Sequence, residues 1–412
     1  MLSKVIDSVG PYFANNMDEI KHNMKKIRTY NNIAEKGLSI FPSNNYDISP
    51  SSEEPDAILL RSHKLHNETL PESVLAVARA GAGVNNIPVG DYTPQGIVVF
   101  NTPGANANAV KELVLASLLL GSRGITQSMN YVNSLADITD PIELHKKVEL
   151  GKKQYGGSEL NGKTLGVVGL GAIGAKIANL ALSLGMNVIG YDPKLSVEAA
   201  WQLSSKVSRA ENLNSLLARS DYITLHVPAV EATTGFINEE ALASIKVGAK
   251  IINLARGELV NESDIITALN SGKIDAYIAD FPSEALIKHE KVILFPHLGA
   301  STIEAEENCS VMGAKQLVDF LENGNIVNSV NFPTISMERT SGFRLTFAND
   351  NVPKVLGTVL ILLAELNINV LDMVNKSRDD IAYTILDIEQ QPTPDLIDQI
   401  SSVEHVFHVR SV

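Results

Sequence analysis

The chain has 412 residues, with 44% hydrophobic and 20% charged side chains, and carries a formal net charge of −13 at pH 7. That composition is that of a soluble globular protein of two or three domains, and the acidic balance excludes general nucleic-acid or anionic-membrane binding, so an anionic substrate must meet a local cluster of cations. The single cysteine, Cys309, rules out an internal disulfide framework or a cysteine metal cluster and fits a reducing compartment.

The first residues, MLSKVIDSVG, lack the continuous apolar core of a signal peptide. The most apolar segments, 113–120 and 355–364, are too short to span a bilayer. A cytoplasmic protein is expected, with no metal.

Taken in order, residues 1–100 read as an α/β half of their own. Strands are expected at 57–60, 75–78 and 97–99. Residues 17–28 are helix-like, with Lys21, Lys25 and Arg28 on one solvated face at helical spacing. Arg61-Ser62 follows the first strand directly, and the glycine-rich turn Ala80 to Asn86 follows the second. In open α/β sheets ligands collect beyond the carboxyl ends of strands. Gly81 and Gly83 there can present backbone N–H groups to a carboxylate or phosphate. Next come the turn around Asn106, an apolar helix at 110–120, and a polar stretch at 125–158 that reads as an arm packing on a partner chain.

Residues 163–192 form the sharpest unit, KTLGVVGLGAIGAKIANLALSLGMNVIGYD. A strand at 164–168 runs into Gly169-Leu170-Gly171-Ala172-Ile173-Gly174, which matches G-x-G-x-x-G. A helix at 175–184 and a second strand at 186–191 follow, closed by Asp192 about 20 residues after the first glycine. Gly169 serves the tight turn, Gly171 the approach of a pyrophosphate, and Gly174 the close packing of helix on strand. The helix N-terminus offers free N–H groups to the phosphates. Asp192 would bind ribose hydroxyls and repel a 2′-phosphate, which favours NAD over NADP.

Strands at 220–228, 250–254 and 275–279 continue the alternation of a parallel doubly wound sheet. Residues 321–340 read as a linker. Beyond them, strands at 344–348, 368–374, 381–388 and 405–409, with helices at 353–366 and 394–402, give βαββαβ, a ferredoxin-like order.

Three further loops fall at or just after strand ends: Asn253 to Gly257, Asp280 to Glu284, and Pro296 to Ala300. Moving a hydride between carbon and a nicotinamide needs a cation for the carboxylate, an acid/base for the hydroxyl proton, and a group that sets the base's charge. Arg256, His297 and Glu284 fit those roles. Arginine offers a bidentate fork, and a glutamate partner favours protonated histidine.

With these residues in view, the chain resembles the D-isomer-specific 2-hydroxyacid dehydrogenases over nearly its whole length. The segments AGAGVNN, GLGAIG, YDP, HVP, NLARGELV, FPSE and PHLGAST carry the resemblance. Within the family, the resemblance is greatest to the branch that oxidises 3-phospho-D-glycerate with NAD, the entry to serine synthesis, and that ends in an ACT domain. Reduction of glyoxylate, hydroxypyruvate or 2-oxoglutarate by the same machinery is the alternative, and an NAD-sensing corepressor-like protein is a further one.

The resemblance implies Arg256, Glu284 and His297 as catalytic residues. It implies cofactor contacts at Ala172, Ile173, Asp192, Leu254, Ala255, Arg256, His297, Leu298, Gly299 and Ala300, besides the turn glycines. Arg61, Ser62, Gly83, Val84 and Asn106 match positions that hold the substrate's phosphate and carboxylate.

Two departures stand out. The family places an aspartate at the position of Ala279, where it contacts the nicotinamide amide. Here Asp280 lies one residue later and is the candidate for that contact. In the ACT segment, Asn351 and Asn369 match serine-binding asparagines, but Lys354 replaces a glycine. Regulation by serine and a structural or dimerising role both remain open there.

The expected architecture is thus α/β, with two doubly wound parallel-sheet domains and a C-terminal ferredoxin-like ACT domain. The substrate domain comprises 1–100 and 290–320, the NAD domain 101–289, the linker 321–340 and the ACT domain 341–412. The active site is expected in the cleft between the first two, in a homodimer or homotetramer.

Overall fold

The structure, a computed structural model, describes residues 24–412. Contacts divide the chain into two compact units. One holds the residues up to Asn106 together with those from Glu306 onward, and the other is Ala107–Ala305.

In the first unit, strands β1 (Lys25–Thr29), β2 (Tyr46–Ser49), β3 (Ala57–Leu60), β4 (Ala76–Arg79) and β5 (Val98–Phe100) form a parallel sheet in the order β2-β1-β3-β4-β5. All four residues of β3 are buried, as expected of a parallel sheet covered on both faces. The helix expected over 17–28 is corrected where it is described, since Lys25, Lys26 and Arg28 lie on strand β1. The remainder of that expected helix lies outside the described residues. Fully buried Ile27 pairs with Ile48 and Ala57. The basic side chains cap carbonyls rather than form a solvated stripe. Lys25 Nζ donates to Leu321 O at 2.5 Å, and Arg28 Nε to Ser52 O at 2.6 Å. With one apolar residue in five, periodicity cannot separate helix from strand, and sheet pairing decides.

The second unit is built on β6 (Thr164–Val168), β7 (Asn187–Tyr191), β8 (Ser208–Arg209), β9 (Tyr222–Leu225), β10 (Ala249–Asn253), β11 (Ile274–Ala279) and β12 (Val292–Leu294). Their order is β12-β11-β10-β9-β6-β7-β8, parallel throughout. The chain runs outward one way from β6 and then returns to β9 and runs the other way. The two strands are neighbours, which makes their carboxyl ends the switch point where doubly wound sheets bind ligands. The helices Ala107–Ser122 and Ala172–Ser183 share a core, in which Val110, Val114 and Leu118 join Ile177, Ala178 and Ala181. The stretch 125–158 contains the helices Ile125–Asn133 and Pro141–Gly151. These leave Met129, Val132, Ile142 and Leu150 exposed.

Strands β13 (Phe343–Asp350), β14 (Val370–Arg378), β15 (Ile381–Ile388) and β16 (Val406–Ser411) form an antiparallel sheet, β14-β15-β13-β16. With the helices Val355–Glu365 and Pro394–Ser401 this is the ferredoxin-like order. The stretch expected as a linker is packed, not free. Val330 N donates to Val99 O, Asn331 Oδ1 accepts from Val99 N, and Phe332 and Ile335 are fully buried beside Phe100 and Phe320. A buried pair closes this region: Arg344 meets Asp387 through two hydrogen bonds, at 2.7 and 3.0 Å, and also donates to the carbonyls of Asn323, Met337 and Glu338.

Candidate active site

The glycine turn sits at the carboxyl end of β6. Gly169 has φ +87°, and a Cβ there would lie 2.5 Å from His226 O. Its N–H donates to Tyr191 O at 2.9 Å, which ties the turn to β7. A Cβ on Gly174 would lie 1.9 Å from Gly169 O, so only glycine lets the helix start this close to the turn. Gly171 is different. A Cβ there would meet nothing within 4 Å, and no side chain caps the helix it begins. Open space in front of uncapped N–H groups, at a glycine, is the cradle a pyrophosphate requires.

Asp192 closes the same turn. Its carboxylate accepts from Leu170 N and from Lys194 N, both at 2.9 Å. Each oxygen retains a lone pair for a ribose hydroxyl. His226, at the end of β9, has Nε2 2.7 Å from Thr224 Oγ1, and burial pushes its pKa down to about 3. Its imidazole is therefore neutral near pH 7, and its backbone carbonyl is the atom that abuts Gly169.

Arg256 is positioned by a residue that sequence reading did not single out, the fully buried Asn253. Asn253 Nδ2 donates to Arg256 O at 2.8 Å and to Tyr277 Oη at 3.2 Å, and its Oδ1 accepts from Ala255 N at 3.2 Å. The asparagine amide thus does the work of a backbone turn. Arg256 Nη1 donates to Ala255 O, and no ion pair to Arg256 is found among the described residues. Gly257 lets the turn pass Phe281, whose Cβ would be 3.3 Å from an added methyl.

His297 is exposed, with φ +52°, in a turn held by Asp280. Asp280 O accepts from His297 N at 3.1 Å, and Asp280 Oδ2 accepts from Gly299 N at 3.0 Å. The His297 ring lies 5.1 Å from that of Phe281. Leu298 is exposed, and Ala300 is half-buried beside buried Gly299. Asp280 itself is 1% exposed, and its Oδ1 has no partner. Burial raises its carboxyl above the usual range, against the opposing effects of Gly299 N–H, His297 and Arg256. A buried acceptor without a donor, beside the candidate acid/base, is what a carboxamide N–H would satisfy.

Glu284 is not brought to His297. It begins the short helix Glu284–Ile287, its side chain is 87% exposed, and it pairs with Lys288 at 2.6 Å.

The other expected residues form a cross-linked set in the first unit. Arg79, also not anticipated, donates from Nε to Arg61 O at 3.0 Å and from Nη1 to Gly83 O at 2.5 Å. Asn86 Nδ2 donates to Arg61 O and His63 O, Asn101 Nδ2 to Ala82 O, and Ser62 N to Asn31 Oδ1. Val84 packs on the core beneath. Asn106 Oδ1 is buried without a partner. The Arg61 side chain pairs with Glu306 at 2.7 Å. The only sequence signal for Arg79 was its place at the end of a strand.

In the C-terminal sheet's loops, Asn351 Nδ2 donates to Asp379 O and Asn369 O accepts from Glu389 N. Lys354 has φ +79°, the left-handed conformation that a glycine would adopt at less cost. Among the described residues no His, Cys, Asp and Glu group could hold a metal, and no helix is long and apolar enough to cross a membrane.

Comparison with known proteins shows the family to which the chain belongs. The family described as D-isomer specific 2-hydroxyacid dehydrogenase, NAD binding domain, matches residues 128–299. The chain is 32% identical over 351 residues to D-3-phosphoglycerate dehydrogenase of Haemophilus influenzae, covering 82% of this chain and 81% of that protein. It is 36% identical over 266 residues to the Homo sapiens protein of the same name, covering 63% of this chain but 47% of that longer one. It spans about half the length of several such relatives. Among solved structures, NAD+-bound 3-phosphoglycerate dehydrogenase of Entamoeba histolytica superimposes with a TM-score of 0.59 at 25% identity, covering 76% of this chain and 100% of that one. D-mandelate dehydrogenase of Rhodotorula graminis gives 0.64 at 25% identity, covering 76% and 100%. The chain belongs to the D-isomer specific 2-hydroxyacid dehydrogenases, a family of NAD-dependent oxidoreductases of small hydroxy acids.

Proposed function

We propose that this protein oxidises 3-phospho-D-glycerate to 3-phosphohydroxypyruvate with NAD, the first step of serine synthesis. The observation that carries the substrate assignment is the Arg61 guanidinium, half-exposed on a backbone that Arg79 and Asn86 hold in place. The D-3-phosphoglycerate dehydrogenase relatives support the same reading.

Gly169, Gly171, Ala172, Ile173 and Gly174 would hold the pyrophosphate of NAD and Asp192 its ribose, and Leu254, Ala255, Asp280, Leu298, Gly299 and Ala300 would receive the nicotinamide end. When bound, NAD would supply the hydride acceptor for C2 of the hydroxy acid. Arg256 binds the substrate carboxylate through its fork. His297 takes the hydroxyl proton and returns it in the reverse direction. Glu284 stabilises the protonated imidazole. Its exposed pair with Lys288 is worth only about 0.3–0.5 kcal/mol and does not by itself hold the carboxylate away from another partner. Arg61, Ser62, Gly83, Val84 and Asn106 hold the phosphate end.

Of the boundaries expected from sequence, the NAD domain at 101–289 and the substrate segment at 290–320 are corrected, because β12 (Val292–Leu294) pairs with β11 in the second unit, which runs from Ala107 to Ala305; the ACT domain is assigned to 341–412 after the 321–340 segment. The exposed apolar side chains of the 125–158 arm support a homodimer or homotetramer. Serine at Asn351 and Asn369 is the candidate effector.

The test is a steady-state comparison of 3-phosphoglycerate and D-glycerate, with Arg61→Ala beside the parent. A charge-assisted contact is worth about 1.5–3 kcal/mol, so kcat/KM for the phosphorylated acid should fall by about 10- to 100-fold. D-glycerate should be little affected. Equal losses on both acids would refute the phosphate assignment.

A further inference from the structure

The Arg61 guanidinium is already occupied. Its Nη2 lies 2.7 Å from Glu306 Oε1, with side chains 38% and 41% exposed. The backbones on both sides are fixed. Arg61 O is held by Arg79 and Asn86, and the next N–H by Asn31. Glu306 lies in the first turns of the helix Ile303–Asn323, which is locked by close packing. A Cβ on Gly313 would lie 3.1 Å from Leu59, and one on Gly37 2.4 Å from Ser310. The neighbouring Glu307 is engaged by Lys36. Only the two half-exposed side chains can exchange partners, by rotamer changes that leave the fold in place.

We propose that Glu306 is a specificity-determining residue, a built-in competitor that neutralises Arg61 until a multiply charged group displaces it. This rests on the reading above that Arg61 meets the substrate's phosphate. A phosphate carries about −1.5 to −2 charges at pH 7 and three strong acceptor oxygens, against one charge on the carboxylate. It therefore wins Arg61 from Glu306. A substrate with a neutral hydroxyl at that carbon leaves the pair intact and gains nothing from Arg61. The pair also screens Arg61 from weakly held monoanions, and Glu306 repels the phosphate and assists its departure with the product.

The test is Glu306→Gln, which keeps the side chain's shape and removes its charge. At low ionic strength KM for 3-phosphoglycerate should fall by about two- to fivefold, the range for a half-exposed ion pair, and the difference should shrink at high salt. KM for D-glycerate should not move. Inorganic phosphate, titrated calorimetrically into the full chain, should bind more tightly by the same factor, and Glu306→Ala should show the same sign. A KM for 3-phosphoglycerate that is unchanged or higher overturns the proposal, because Glu306 would then merely orient Arg61. A D-glycerate KM that falls equally also overturns it. Phosphate binding needs no turnover. A parent that binds phosphate, and binds it more tightly as Glu306→Gln, yet fails to oxidise 3-phosphoglycerate would refute the function while leaving the competitor role standing.

Discussion

Replacing Asp280 by asparagine separates charge from hydrogen bonding at the end of β11. The carboxylate is buried, one oxygen accepts from Gly299 N at 3.0 Å, and the other has no partner. Burial raises its pKa above the ordinary value. The folded state therefore retains a proton that the unfolded chain has already released. Stability is present below the unfolded pKa near 4 and is lost as pH rises through the raised folded pKa. Asparagine keeps an acceptor for Gly299 N but has no charge to desolvate. Relative to the parent, Asp280→Asn should thus gain about 1.4 kcal/mol for each pH unit by which the folded pKa exceeds the unfolded one, a gain that accrues between pH 4 and pH 8. At about 2–4 °C per kcal/mol for a domain of roughly 200 residues, the difference in Tm should widen by several degrees over that interval. Thermal unfolding of both proteins at pH 4, 6 and 8 measures it. NAD should then stabilise the parent more than the variant, because the cofactor amide satisfies the orphan oxygen only in the parent. A Tm difference independent of pH, or one that moves against the variant as pH rises, would refute the reasoning.

Two further substitutions probe the remaining machinery. His297→Ala should lower kcat by about 10²–10⁴ with NAD affinity retained, as read by fluorescence titration; unchanged kcat would remove His297 from the chemistry. Asn253→Ala should destabilise by about 2–4 kcal/mol, since it strips partners from the Arg256 and Tyr277 oxygens in a buried site. It should also raise KM for the hydroxy acid more than KM for NAD, and equal effects on both would show that Asn253 only supports the fold.

Much of the site was legible because it is local. The glycine turn, its helix and Asp192 lie on one continuous strand–turn–helix–strand unit, where steric demands on the backbone dictate residue type. The loops after β10, β11 and β12 announced Arg256, Asp280 and His297, because a parallel sheet brings strand ends to one edge whatever lies between them. The ferredoxin-like order was likewise readable from alternation and turns, since each element is amphipathic on its own.

Other features depend on partners distant in sequence. Lys25 to Arg28 form a strand because Ile48 and Ala57 pair with Ile27, a fact no local pattern contains. Glu284 lies beside Lys288 rather than His297, since a rotamer is chosen by its surroundings. Asn253, Arg79 and Glu306 acquire meaning only through what they touch. Sequence alone thus determined that this chain carries an NAD-binding unit, because backbone geometry at a glycine turn is a local property. Only the tertiary structure decided what restrains those residues, the orphan oxygen of Asp280 and the carboxylate on Arg61 above all, because burial and ion pairing are properties of neighbours in space.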